Sequence, residues 1–120
     1  MSILCYNKFM NKVTHFEFPW DDKERAKSFY QNVFDWKAFE WAEFGYTSYQ
    51  TGPVDEKMQP KEPGFINGGS SKRDPEMPYP MFYVDVSDID ETLNKIVENG
   101  GSIVRAKMPL GENGAMGFLA

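Results

Sequence analysis

The sequence predicts an α+β fold made of two successive modules, each opening on a strand that runs into a helix. Three observations carry this. Residues 12–18, "KVTHFEF", and 81–86, "MFYVDV", alternate as half-buried strands do. Each is followed by an amphipathic helix headed by acidic residues, "DDKERAKSFYQNVF" and "DIDETLNKIVENG". Short strands separated by turn residues then follow each helix. Paired βαβββ modules of this kind would join into a curved mixed sheet with a central cup and the helices outside. The second module is incomplete at Ala120.

The elements follow in order. Residues 1–9 form an amino-terminal extension, and Met10 is a second candidate start. Residues 10–71 make the first module. In its opening strand Val13, His15 and Glu17 share one face, and Thr14, Phe16 and Phe18 share the other; Pro19 ends the strand. Asp22 is placed to cap the helix, with Glu24 in the first turn. Ala26, Phe29, Tyr30, Val33 and Phe34 form one apolar stripe, which needs a sheet to cover. "WKAFEW" (36–41) and "GYTSYQT" (45–51) read as strands joined by a short turn. The charged, proline-rich stretch 52–63 is a loop. "GFINGG" (64–69) reads as an edge strand broken by glycine.

The polar run "SSKRDPEMPYP" resembles a linker, set at residues 72–80. The second module, residues 81–120, then reads strand, helix, strand, strand, with its last strand absent. Asp88 and Glu91 have capping-box spacing, and Ser87 is an alternative cap. Ile89, Leu93, Ile96 and Val97 form the buried stripe, and Gly100-Gly101 ends the helix. "AMGFLA" opens a strand whose missing neighbour would lie beyond residue 120 or on another chain.

The repeat sorts residues by face. Phe16/Phe18 and Phe82/Val84/Val86 would face the helices. His15/Glu17 and Met81/Tyr83/Asp85 would face into the curve, where polar side chains form a ligand cavity. A solvated sheet face is the plain alternative.

Composition narrows the function. The net charge is −5 and the longest basic cluster is Lys72-Arg73, so nucleic-acid binding through a basic patch is not expected. A single cysteine, Cys5, allows no internal disulfide, and no Cys/His cluster suggests zinc. No segment has the length of a signal peptide core or a membrane span, so a cytoplasmic protein is expected. "GENGAMG" lacks the dinucleotide pattern, Asp85, Asp88, Asp90 and Glu91 lack EF-hand spacing, and Ser70-Ser71 lacks a nucleophile elbow.

"VTHFEFPWDDKERAKSFYQNVFDW", "GFINGG" and "YVDVSDIDETLNKIVENGGSIV" together resemble the vicinal oxygen chelate superfamily: glyoxalase I, bleomycin-resistance proteins and extradiol dioxygenases. The resemblance spans residues 12–120 and is nearest to small bacterial glyoxalase-like proteins. It implies a cup in which a divalent metal acts as a Lewis acid on neighbouring substrate oxygens. His15 matches a ligand position of that set. Met81 stands where the second module would supply a ligand, and a thioether does not suit such a metal. Asn67 is the polar residue near the late ligand position of the first module, and the final glutamate position falls beyond Ala120.

The reading is therefore a glyoxalase-like protein that binds a small organic molecule without the family's metal set. The cup residues are His15, Glu17, Trp41, Tyr46, Asn67, Met81, Tyr83 and Asp85. His15 and Glu17 are the candidates for acid–base work, and Trp41 or Tyr46 for stacking. Two alternatives stay open: a metal-dependent lyase, isomerase or dioxygenase using His15, and a sequestering protein of the bleomycin-resistance type. A homodimer is expected, since members of the family build cups by pairing.

Overall fold

The structure is a computed structural model and describes residues 2–5, 11–76, 78–109 and 115–119. It is a mixed α+β fold. The chain divides into two compact units, residues 15–80 and residues 1–14 with 81–120.

In the unit of residues 15–80 the order is strand, helix, strand, strand, strand. β2 (Val13–Trp20) leads into α1 (Lys23–Phe34), then β3 (Lys37–Trp41), a 3-10 turn (Ala42–Phe44), β4 (Tyr46–Gln50) and β5 (Asn67–Lys72). The sheet order is β3-β4-β5-β2, with β5 parallel to β2 and antiparallel to β4. Asp22 caps α1 as its spacing predicts, its carboxylate accepting the Arg25 amide at 3.1 Å. The helix ends where Asp35 turns left-handed at φ 57° and its N–H reaches the Gln31 carbonyl.

β5 corrects two expectations. It lies inside this sheet rather than at its edge, and it extends through Ser70, Ser71 and Lys72, part of the run read as linker. The glycines that suggested a broken edge have a packing role instead. The Phe16 ring lies against Gly68 and the Tyr46 side chain against Gly69, so neither position has room for a Cβ.

The helix-facing side of this unit is aromatic. Phe18 packs on Tyr30 with ring centroids 4.4 Å apart, and Tyr30 stacks on Trp36 at 5.3 Å. Tyr49, 1% exposed, meets Phe18, Tyr30 and Trp36. Burial pushes its phenol up. Part of the chain's aromatic content is thus core. The α1 stripe is covered less than its periodicity suggests: Phe29, Val33 and Phe34 remain about half exposed. Tyr30 fills the contact with the sheet; Phe29 packs edge-on against it, and Phe34 lies tilted beside it.

The other unit contains β1 (Ser2–Cys5), β6 (Met81–Val86), α2 (Ile89–Glu98), β7 (Ile103–Pro109) and β8 (Ala115–Leu119). Its sheet order is β6-β1-β8-β7. β1 runs parallel to β6, with Ser2 opposite Tyr83 and Cys5 opposite Val86, and antiparallel to β8. It holds between β6 and β8 the place that β5 holds between β2 and β4. The strand partner expected beyond residue 120 or on a second chain is thus found at the amino end.

Asp88 caps α2 by accepting the Glu91 amide at 2.9 Å, which decides between Asp88 and Ser87. Gly100 at φ 91° and the Gly101 N–H on the Ile96 carbonyl end it. Val86, Ile89 and Leu93 are the core, with Val84 and Ile96 packed against them. Val97 of the expected stripe is 54% exposed. Among the described residues, no helix is long and apolar enough to cross a membrane.

Candidate functional site

Strand alternation places the polar cluster. On β2 the even residues Phe16 and Phe18 turn toward α1, so His15 and Glu17 turn the other way. Register carries that face across the sheet. Asn67 is opposite His15, Gly69 opposite Glu17, Ser48 opposite Gly69, and Phe39 opposite Ser48. Tyr46 and its partner Trp41 fall on the same face. Five of the expected cup residues, His15, Glu17, Trp41, Tyr46 and Asn67, therefore share one side of one sheet.

His15 is the centre of this face. Its Nε2 is 2.8 Å from the Tyr46 hydroxyl and 3.4 Å from a Glu17 carboxylate oxygen. The His15 and Glu17 side chains are 26% and 19% exposed, so the group is sheltered but reachable. The ring nitrogen can accept the tyrosine proton in one tautomer or donate toward it in the other. Protonated, it is an ion-pair partner for Glu17.

The remaining residues set the walls. The Trp41 indole N–H donates to Ser48 Oγ at 3.0 Å, fixing a ring that is 52% exposed. Asn67 turns its side-chain oxygen to the Thr51 amide at 3.0 Å, which ties β5 to the end of β4. Ser48 and Gly69 were missed by sequence reasoning. Ser48 was legible, since period-two spacing from Tyr46 puts it on the same face. Gly69 was legible as a glycine, but its role needed the register.

Met81, Tyr83 and Asp85 lie on β6 in the other unit. Tyr83 is 2% exposed and Asp85 is 7% exposed. Asp85 accepts the Thr14 hydroxyl at 3.0 Å, and its own amide donates to the Lys12 carbonyl. Burial raises the Asp85 carboxyl above its ordinary range, with the Thr14 hydrogen bond working against that.

A tightly held divalent metal sets a demand on its donors. Protein sites of that type use three or four ligands. Among the described residues no three of His, Cys, Asp and Glu come together. His15 and Glu17 come from one strand, and the His15 nitrogen nearest Glu17 also meets Tyr46. His15 and Glu17 alone supply fewer donors than such a site takes.

The sequence model of the Glyoxalase/Bleomycin resistance protein/Dioxygenase superfamily matches residues 12–119. The chain belongs to this superfamily. It is also similar to a glyoxylase-like domain-containing protein of Didymella fabae, 29% identical over 104 residues, covering 83% of this chain and 77% of that protein. Within the glyoxalase superfamily the βαβββ order of residues 15–80 is the expected module, and the face bearing His15 is the one its opening strand turns away from the helix.

Proposed function

We propose that this glyoxalase-superfamily chain binds a small organic molecule on the His15 face and does so without a chelated metal. The observation that carries this is the His15 contact pair: Tyr46 at 2.8 Å and Glu17 at 3.4 Å from one nitrogen. A histidine committed to a phenol and a carboxylate is arranged to exchange a proton with a bound group. Glu17 would stabilise the charged imidazole, and Tyr46 would carry a proton to or from the ligand. Trp41, held edge-on by Ser48, offers its exposed ring for stacking. We place the protein in the cytoplasm and expect a homodimer, as the family habit suggests.

One observation favours a second reading. Glu17 and the exposed Trp41 ring share a face in a chain of net charge −5, which suits a flat cation held without chemistry. Sequestration of such a molecule would resemble the bleomycin-resistance branch.

Elemental analysis of untagged protein tests the metal-free reading, after incubation with Ni²⁺, Zn²⁺, Fe²⁺ and Mn²⁺ and desalting. The expected result is no retained metal. About one ion per chain, lost in His15→Ala, would overturn it, because tight binding needs several ligands. Ligand screening by thermal shift follows. Hits that lose affinity in both His15→Ala and Trp41→Ala place the ligand on this face, whereas hits indifferent to both remove the face from consideration.

A further inference from the structure

The side chain across from His15 has a settled orientation. Asn67 on β5 stands opposite His15 on β2, on the face turned away from α1. Its carboxamide accepts the Thr51 backbone N–H at 3.0 Å. A backbone N–H can only donate, so the atom at that contact is the amide oxygen. The Thr51 hydroxyl donates to the neighbouring Ile66 carbonyl at 2.7 Å. Thr51 thus clamps both the Asn67 side chain and the backbone beside it. The amide nitrogen, Nδ2, is left with two hydrogens and with no hydrogen bond among the described residues. Asn67 is half-buried, so this donor is sheltered as well as oriented.

Glu17 supplies the complement. One of its carboxylate oxygens lies 3.4 Å from His15 Nε2, and the other has no partner among the described residues. An ionised carboxylate can only accept. Glu17 stands opposite Gly69, two residues along β5 from Asn67. Glu17 and Asn67 are therefore diagonal neighbours on one face, a separation that long side chains can close. His15 and the Tyr46 hydroxyl occupy the centre between them, 2.8 Å apart. The face thus offers one unmet acceptor and one unmet donor on either side of the imidazole. Each invites the opposite kind of ligand atom and disfavours its own kind.

We propose that the His15 face recognises a cis-amide edge, the group carried by lactams, imides and cyclic ureas. The ligand N–H would donate to Glu17, and its adjacent carbonyl would accept from Asn67 Nδ2. In a cis amide these two groups point the same way, whereas in a trans amide they point apart. A carboxylate brings two acceptors and meets the charge of Glu17; an amidinium brings two donors and meets the N–H bonds of Asn67. The proposal rests on the reading of this face as a ligand site, and it names the ligand class and makes Asn67 the residue that selects it.

The test follows the ring ¹⁵N resonances of His15, the only imidazole, in the labelled full chain during titration with 2-pyridone. The expected result is a saturable movement. 1-Methyl-2-pyridone, which lacks the N–H, should bind about tenfold more weakly or worse. Asn67→Asp keeps an oxygen for the Thr51 amide and turns the Nδ2 donor into an acceptor, so it should weaken 2-pyridone binding by a similar factor with an unchanged melting temperature. Adding Glu17→Gln to Asn67→Asp exchanges donor and acceptor between the two positions. The lactam can then turn over, and binding should recover. Equal affinity for the two pyridones, or wild-type affinity in Asn67→Asp, overturns the proposal, as does a double variant no better than Asn67→Asp alone. A His15 response to benzamidinium with none to 2-pyridone overturns the cis-amide assignment and leaves the face a ligand site. Silence toward 2-pyridone also overturns the assignment, and the underlying reading is then judged separately, by whether the thermal-shift hits depend on His15.

Discussion

Gly69 lies beneath the Tyr46 side chain, so that a Cβ at position 69 would meet the Tyr46 hydroxyl. The same hydroxyl is the one that reaches His15. Absence of a side chain on β5 is thus a condition for the contact between β4 and β2.

Gly69→Ala should therefore break the His15–Tyr46 contact while leaving the fold intact. The atom displaced is the far end of a side chain that is not fully buried, so the stability cost should stay near or below about 1 kcal/mol. His15 is the only imidazole in the chain. Its ring ¹⁵N chemical shifts report tautomer and hydrogen bonding without interference. Gly69→Ala and Tyr46→Phe should move them alike. Unchanged shifts in both would mean that the two side chains do not meet in solution.

Gly68→Ala should behave differently, because its neighbour is the Phe16 ring on the helix-covered face. Phe16 packs against Phe18 and Trp36 and has little freedom to yield. Overpacking of that type costs about 1–3 kcal/mol. Urea denaturation should show this loss, and the His15 ring shifts should stay at their wild-type values.

The two helix caps give a third prediction. Asp22 and Asp88 each accept an amide three residues on. Asp22→Ala and Asp88→Ala should each cost about 1 kcal/mol, and the Asn variants much less. Denaturation midpoints of the four variants check this. Equal losses for Ala and Asn would point to charge rather than capping as the source.

These caps were legible because a cap is a local matter of one side chain and the next few amides. The same holds for the opening strands, whose alternation sorted His15 and Glu17 from Phe16 and Phe18. The location of β5 was not legible. Its glycines are tolerated because Phe16 and Tyr46 cover them, and those residues are distant in sequence. The pairing of Ser2–Cys5 with β6 and β8 was equally hidden. Four residues are too few for alternation to be read, and nothing local tells a strand which neighbours it will find. In the site, Trp41 and Tyr46 were expected only as stacking residues, and their shared face with His15 came from the pairing of β3, β4 and β5. The hydrogen bond that unites Tyr46 with His15 depended on register across β5.

Asp85 supplies the pH dependence. Its carboxyl is raised above the ordinary aspartate value of about 3.9 because burial disfavours the charged form. The folded state therefore holds this proton more tightly than the unfolded chain does. Stability from this group is fully present below the unfolded value and is lost as pH rises through the raised folded one. The aspartate then stays ionised at a penalty that its Thr14 hydrogen bond only partly offsets. Asp85→Asn removes the charge, and its side-chain oxygen can still accept the Thr14 hydroxyl. Relative to wild type, Asp85→Asn should gain stability as the pH rises from about 4 to about 7, where the buried carboxyl gives up its proton. Urea titrations of both proteins at the two pH values measure the difference directly. A gap that stays constant with pH would show that Asp85 is not desolvated in the folded chain, and a gap that shrinks would reverse the sign of its contribution.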